Sequence, residues 1–550
     1  MRARALLDKG RTIAGPGFNR WLVPPAALAI HLSIGMAYGF SVFWLPLSRA
    51  IGGTAPVICP ADLSFIAQVF TTTCDWPISM LGWMYTLFFV FLGSSAAIFG
   101  GWLERAGPRK AGVAAAFCWA GGLVISAIGV ITHQIWLLWL GSGVIGGIGL
   151  GLGYISPVST LIKWFPDRRG MATGMAIMGF GGGAMIGAPL ADRLMNFFAT
   201  SSSVGVWQTF LVLAAIYFVF MMAGAFAYRV PAADWKPAGW MPPTTNGKNN
   251  MITTRSVRLG QVLRTPQFWL IWGVLCLNVS AGIGVIGMAS PLLQEVFGGK
   301  LIGIVATFNQ LDAVQKVQIA AIAAGFTGLL SLFNIAGRFV WASLSDFIGR
   351  KATYSVFFVL GIFLYASIPT IASQGNLFLF LAFFCIIVSM YGGGFAAIPA
   401  YLADMFGTRM VGAIHGRLLT AWSTAGILGP VLVNYIREYQ IGAGVPRAQA
   451  YDVTMYILAG LLGLGLICNL LVRPVAEKHF MTEEELVKEK QATVNPAAVQ
   501  EQAMATQPGR ATSHPALVAG AWAAVGIPLA FGLWVTVQQA LVLFRLFGPS

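Results

Sequence analysis

Apolar runs of roughly twenty residues recur thirteen times between Trp21 and Phe547, centred near Tyr38, Phe91, Gly121, Leu150, Gly183, Val219, Ser280, Leu330, Gly361, Gly392, Ala425, Gly463 and Leu533. Each is long enough to cross the hydrocarbon core of a bilayer as a helix. In lipid every backbone N–H and C=O must be satisfied internally, and a helix does so within its own segment. The chain is 57% hydrophobic and only 10% charged, whereas a soluble domain carries about 25% charged residues. A water-soluble protein is therefore excluded, and an all-α membrane protein is expected. Glycine, 66 of 550 residues, suits helices that must approach closely where no hydrophobic force draws them together.

The formal charge of +15 would suggest nucleic-acid binding in a soluble protein. Here it reports topology. With the N-terminus placed in the cytoplasm, 25 of the 34 Lys and Arg fall on the inside and 7 on the outside, leaving Arg338 and Arg417 within spans. The positive-inside rule therefore puts the N-terminus in the cytoplasm and, with thirteen spans, the C-terminus outside. The run from Leu22 to Leu47 is too long for a signal peptide and reads as a retained first helix. Cys118, Cys276, Cys385 and Cys468 fall inside apolar runs, where thiols act as small hydrophobes. Cys59 and Cys74 lie in the first external loop, and on the oxidising side of a bacterial membrane they are a candidate disulfide; two free thiols are the alternative.

The hydrophilic stretch from Pro231 to Thr265 separates six spans from six more. A short repeat accompanies this division: Glu104-Arg105-Ala106-Gly107-Pro108-Arg109-Lys110 follows the second span and Asp346-Phe347-Ile348-Gly349-Arg350-Lys351 the eighth. Glu104, Arg105, Gly107, Arg109, Asp346, Gly349 and Arg350 are read as cytoplasmic gate motifs of two duplicated halves, the usual construction of a secondary transporter. The expected divisions are a cytoplasmic N-terminus (1–20), a six-helix bundle (21–229), a cytoplasmic central loop (230–266), a second six-helix bundle (267–472), a cytoplasmic linker (473–514) and an extra helix (515–547). The linker is too polar to fold alone. A twelve-helix bundle needs no thirteenth helix, so the last is expected at the periphery.

Ionisable residues within the spans carry the functional information, because a guanidinium at a helix centre costs about 2.5–3.5 kcal/mol on insertion scales. Arg338 lies eight residues before Asp346 and has no acid within one turn of it in sequence. A carboxylate substrate would supply the missing charge through two parallel N–H···O bonds. An ion pair with an acid on another helix is the alternative. Asn334, one turn away, completes the donor set. Tyr38, Tyr154, Tyr391, Phe395 and Trp422 lie on spans one, four, ten and eleven, those expected to line a central cavity; plain packing is the competing reading. His31 is a candidate for proton coupling, set against a hydrogen-bonded core histidine. Arg417 is close enough to a span end to snorkel, and is otherwise a candidate second cation.

Gly147, Gly149, Gly151 and Gly153, and Gly179 with Gly181 to Gly183, lie within apolar runs and serve helix packing, not phosphate binding. No Walker loop, HExxH or serine elbow occurs. No enzyme activity, cofactor or metal site is expected, and an ATP-driven pump or membrane protease has no chemistry to run on. The expected partners are a small organic anion, protons and the lipid bilayer, with no nucleic acid.

On these residues the chain resembles the major facilitator superfamily and, within it, the oxalate/formate antiporter family related to monocarboxylate transporters. The resemblance covers about residues 18 to 475. It rests on Gly35-Met36-Ala37-Tyr38 with Pro46, Lys163-Trp164-Phe165-Pro166-Asp167-Arg168-Arg169-Gly170, Arg264-Thr265-Pro266-Gln267-Phe268-Trp269, the stretch from Asn334 to Lys351, and Phe406-Gly407-Thr408. It implies a 6+6 helix bundle that exchanges or symports small organic anions across the bacterial cytoplasmic membrane. It also implies that Arg338 binds the substrate carboxylate, with pocket roles for Tyr38, Tyr154, Phe180, Tyr391 and Phe395. The thirteenth span resembles a fused single-helix small subunit.

One position departs from that pattern. Oxalate carriers of the family have a lysine in helix eleven where this chain has Trp422. One central cation neutralises a monoanion but leaves a dianion with net charge in low dielectric. A monocarboxylate such as formate, lactate, pyruvate or acetate is therefore expected over oxalate, with oxalate/formate exchange as the alternative should Arg417 turn inward. A non-transporting anion sensor and a sugar or drug carrier of the same superfamily are further alternatives.

Overall fold

A computed structural model describes residues 6–15, 17–53, 56–60, 62–200, 203–232, 235–241, 251–485 and 513–544. Parts of the expected N-terminal segment and central loop, most of the expected linker (486–512) and the C-terminal residues 545–550 lie outside the described residues. Among the described residues the chain is helical, and thirteen helices are long and apolar enough to cross a membrane. They are α1 (Arg20–Leu47), α2 (Met80–Ala106), α3 (Pro108–Ile131), α4 (Ile135–Trp164), α5 (Arg169–Phe198), α6 (Val206–Ala227), α7 (Pro266–Ile302), α8 (Val314–Ile348), α9 (Arg350–Ser373), α10 (Leu377–Phe406), α11 (Val411–Gly442), α12 (Arg447–Leu471) and α13 (Pro515–Gln538). The protein is a multi-pass membrane protein.

Two compact units divide the chain. The first contains Met1–Arg264, Leu402–Thr420 and Val475–Leu529; the second contains Thr265–Tyr401, Ala421–Pro474 and Ala530–Ser550. The first unit thus takes the last turn of α10 and the opening turns of α11 from the later half of the chain. Alpha-helical geometry in α11 is interrupted at Leu419, between Val411–Leu418 and Thr420–Gly442, close to the residue where the units divide.

The two repeated turns share one backbone device. Gly107 between α2 and α3 has φ +91°, and Gly349 between α8 and α9 has φ +86°. A side chain is strained there, so glycine at the shared spacing after the acid lets one helix stop and the next start without a loop. Regular α geometry also gives way inside the first unit. Gly35–Phe43 in α1 forms a 3-10 stretch and Trp139–Gly146 in α4 a π stretch. Such departures re-aim the side chains around them.

In the first unit α13 packs against α1. Val525 joins Leu28 and Ala29, with Leu32 and Trp522 beside them, and the Trp522 indole N–H donates to the Trp21 carbonyl at 3.0 Å. Only 11% of the most apolar window of α13 is buried, which makes it a peripheral helix. In the loop before α2, Cys59 and Cys74 are joined by a disulfide with Cα atoms 5.0 Å apart.

Candidate functional site

In the second unit, small residues bring α8 and α10 together. A Cβ on Gly337 would collide with the Ser389 backbone, and one on Gly392 with the Asn334 carbonyl. The Tyr391-Gly-Gly-Gly-Phe395 stretch is therefore a contact surface without side chains, flanked by two aromatic rings. Against it lies Arg338, fully buried. Its Nε–H donates to Asn334 Oδ1 at 3.0 Å, and the Asn334 amide donates in turn to the Val388 carbonyl. The Arg338 guanidinium carbon lies 5.8 Å from the centroid of Phe395. Phe395 packs edge-on to Tyr391 at 5.5 Å and to Trp422 at 4.6 Å. The structure thus brings Arg338, Asn334, Tyr391, Phe395 and Trp422 into one cluster: a guanidinium fork oriented by an amide and walled by aromatic rings. Such a fork matches a carboxylate in geometry and charge.

The first unit carries a different cluster. His31 on α1 is fully buried, with Nδ1 2.5 Å from the Ala176 carbonyl and Nε2 3.2 Å from the Tyr154 carbonyl. Carbonyl oxygens only accept, so a neutral imidazole can donate to one of them and an imidazolium to both. The His31 ring lies 5.2 Å from Tyr154, and Phe180 contacts Tyr38 at 5.0 Å and Tyr154 at 5.3 Å. Gly35 and Gly179 allow this approach, since a Cβ on either would press into α5 or α1 respectively. Tyr38, Tyr154, Phe180 and His31 are therefore together, but in the other unit from Arg338.

His415 belongs to this second cluster and escaped sequence reasoning. It is fully buried, its ring 5.8 Å from that of Tyr154. The signal that singled out His31, a histidine inside an apolar run, was equally present at His415. In the second unit Asn278 is similar: its Oδ1 is buried without a hydrogen-bond partner among the described residues, close against Gly394.

The two repeated motifs are used unequally. Glu104 accepts from Lys163 Nζ at 2.6 Å, Ser159 Oγ at 2.9 Å and the backbone N–H of Gly412 at 2.9 Å. The carboxylate thus sits at the start of the Val411–Leu418 helix, where the exposed N–H groups and the helix dipole favour an anion. Asp346 instead pairs with Arg350, one turn on, at 2.5 Å. Arg109 donates to the carbonyls of Leu6, Phe226 and Tyr228, whereas Arg105 is exposed. Arg169 pairs with Asp404 at 2.7 Å. Arg417, the candidate second cation, donates to the Leu259 carbonyl at 2.6 Å.

The model of the Major Facilitator Superfamily matches residues 26–430 and 301–548 of the chain. The chain is 28% identical to the oxalate:formate antiporter of Oxalobacter formigenes over 286 residues, 52% of this chain and 59% of that protein. It thus spans about three fifths of that relative. It is 27% identical to apicoplast pyruvate carrier 1 of Toxoplasma gondii, over 54% of this chain and 59% of that one. An uncharacterised transporter of the same superfamily in Escherichia coli K12 is 23% identical over 74% of this chain and 86% of its own length. Among solved structures, the proton:xylose symporter XylE superposes with a TM-score of 0.57 at 15% identity, covering 85% of this chain and 98% of that one. The E. coli fucose:proton symporter FucP gives 0.56 at 11% identity, covering 83% and 100%. These structures establish the fold.

Proposed function

We propose, from the premise that this chain belongs to the Major Facilitator Superfamily, that it is a secondary transporter of small organic anions working by alternating access. The observation that carries this reading is the fully buried Arg338, held about three turns inside the C-terminal end of α8 by Asn334 and faced by Phe395. A guanidinium costs free energy at that depth, and a substrate carboxylate recovers it through paired hydrogen bonds. The names of the relatives, an oxalate:formate antiporter and a pyruvate carrier, agree in substrate class.

The substrate we favour is a monocarboxylate, formate, lactate, pyruvate or acetate, moved by exchange or proton symport. Trp422 packs on Phe395 in the same cluster, and Arg417 is engaged by a backbone carbonyl. One guanidinium balances one carboxylate. Oxalate/formate antiport is the second reading, favoured by the likeness to the Oxalobacter protein. The host membrane is the bacterial cytoplasmic membrane, with the N-terminus inside and the C-terminus outside, from the asymmetry of Lys and Arg. Uptake of labelled formate, acetate, lactate, pyruvate and oxalate into proteoliposomes, with and without internal anion and an imposed pH gradient, tests the proposal. Uptake of a monocarboxylate with oxalate excluded supports it; transport of oxalate alone overturns the single-cation argument.

A further inference from the structure

Four aromatic side chains that the transport reading leaves unused line one pocket of the first unit. Phe18 and Trp21 sit on either side of Arg20, the first residue of α1, and Trp235 and Trp240 come from the loop that follows α6. With Arg20, Asp167 and Arg168 they enclose about 590 Å³, a volume within the range of sites that hold small ligands. All of these residues belong to Met1–Arg264 of the first unit. The loop is held against the helix ends through Trp164, the last residue of α4. Trp235 packs edge-on to that ring at 4.7 Å, and Phe18 lies 5.3 Å from it.

The charge of the pocket is positive. Arg20 donates to both oxygens of Asp167, at 2.8 and 3.0 Å, and lies over the Phe165 ring at 4.5 Å, so this pair cancels. Arg168 beside it is exposed and makes no hydrogen bond or ion pair among the described residues. The indole N–H groups of Trp235 and Trp240 are likewise without an acceptor among the described residues. An unpaired guanidinium with two further donors suits an anion with several acceptor oxygens, and phosphate is such a group.

Depth in the membrane decides which phosphate. Arg20 opens α1, and Asp167 and Arg168 join the end of α4 to the start of α5. The pocket therefore lies where apolar spans give way to water, the level of the phospholipid headgroups. Tryptophan collects at that level because its ring is apolar and its N–H polar. The start of α13 is tied to the same place: the Ser513 N–H donates to the Gly17 carbonyl at 3.2 Å, and the Asn19 N–H to Ser513 Oγ at 3.0 Å. Leu517 in the first turn of α13 is exposed, an apolar surface along which an acyl chain can run. We propose that the pocket binds the headgroup of an anionic phospholipid, its phosphate on Arg168 and the two indole N–H groups and its chains along α13. Basic pockets beside the cytoplasmic ends of membrane helices hold acidic headgroups on the same physical grounds. None of these residues is assigned to the substrate, so the proposal does not rest on the transport reading.

Native mass spectrometry of the full-length protein in detergent, titrated with phosphatidylglycerol, phosphatidylcholine or glycerol 3-phosphate, tests it. The wild type is expected to bind its first phosphatidylglycerol at least about tenfold more tightly than phosphatidylcholine, the worth of one charge-assisted hydrogen bond. Arg168→Gln is expected to abolish that preference. Trp240→Ala keeps the charge and removes one wall and one donor, and should weaken phosphatidylglycerol binding about fivefold. Equal affinity for the two lipids in the wild type, or a preference unchanged by Arg168→Gln, overturns the site. If Arg168→Gln does not fold, Trp240→Ala decides, and unaltered phosphatidylglycerol affinity in that variant overturns the proposal. Glycerol 3-phosphate bound as tightly as the lipid makes the pocket a receptor for a soluble phosphate ester and overturns the lipid assignment.

Discussion

The Nε–H of Arg338 donates to Oδ1 of Asn334 at 3.0 Å, one turn earlier on α8. The amide of Asn334 is itself tied to the Val388 carbonyl on α10. This chain of two hydrogen bonds sets the rotation of a fully buried guanidinium and aims its remaining N–H groups. An arginine without that restraint would spend binding energy on ordering its own side chain.

Arg338→Ala is expected to abolish uptake of every transported anion while leaving membrane insertion intact. Arg338→Lys is expected to restore little, because an ammonium lacks the planar fork. Asn334→Ala, which removes the orienting bond and keeps the charge, should cost about tenfold in uptake, the equivalent of one net hydrogen bond. Initial rates at matched reconstitution levels measure all three. Normal uptake by Arg338→Ala would remove Arg338 from the site.

Trp422→Lys should shift selectivity toward dicarboxylates, since it adds a cation beside Phe395, where the indole now packs at 4.6 Å. The measurement is the ratio of oxalate to formate concentrations that halve uptake of the labelled substrate. A fall of about tenfold in that ratio is expected for one added charge pair. An unchanged ratio counts against the single-cation argument.

Glu104 joins Lys163 and Ser159 of α4 to the Gly412 amide, 308 residues away in sequence. Glu104→Gln keeps the shape and removes the charge, leaving Lys163 without its anion. Lys163 is partly exposed, so water offsets part of the loss, and a destabilisation of about 1–3 kcal/mol is expected. A double-mutant cycle with Lys163→Met in thermal unfolding reads the pair term, and additive effects of the two substitutions would deny the coupling.

His133 stacks on Trp76 at 4.1 Å, with Nε2 donating to the Cys74 carbonyl at 2.8 Å. Burial pushes its pKa below the usual imidazole value of 6.5, against the opposing pull of that carbonyl and of Asp75. A lowered histidine pKa means that folding favours the neutral ring. Its stabilisation is complete above about pH 6.5 and is lost as the pH falls below that value. His133→Gln should therefore flatten the fall in Tm between pH 7 and pH 5. Parallel Tm profiles for variant and wild type would show that the ring does not titrate in this window.

Much of the architecture was legible because membrane helices are specified locally. Span length follows from hydrocarbon thickness, and the acid-to-glycine spacing in Glu104–Gly107 and Asp346–Gly349 anticipates two turns that adopt positive φ. Arg338 and His31 stood out because charge in an apolar run is costly wherever the helix packs. The grouping of Tyr38, Tyr154 and Phe180 with His31, and of Tyr391, Phe395 and Trp422 with Arg338, was not legible. It depends on glycines such as Gly35, Gly337 and Gly392, whose missing side chains decide which helices touch.

What the sequence determined alone is the set of elements: thirteen apolar helices, a break after the sixth, and the few buried ionisable groups that lipid would reject without a purpose. Each of these is a sum over neighbouring residues, measured against a solvent of known thickness and polarity. Only the tertiary structure decided that Leu402–Thr420 joins the first unit, that Glu104 caps the helix containing His415, and that this histidine is left without a hydrogen-bond partner among the described residues. Those facts depend on partners hundreds of residues apart, and a hydrogen bond or its absence is defined only once both groups occupy their places in space.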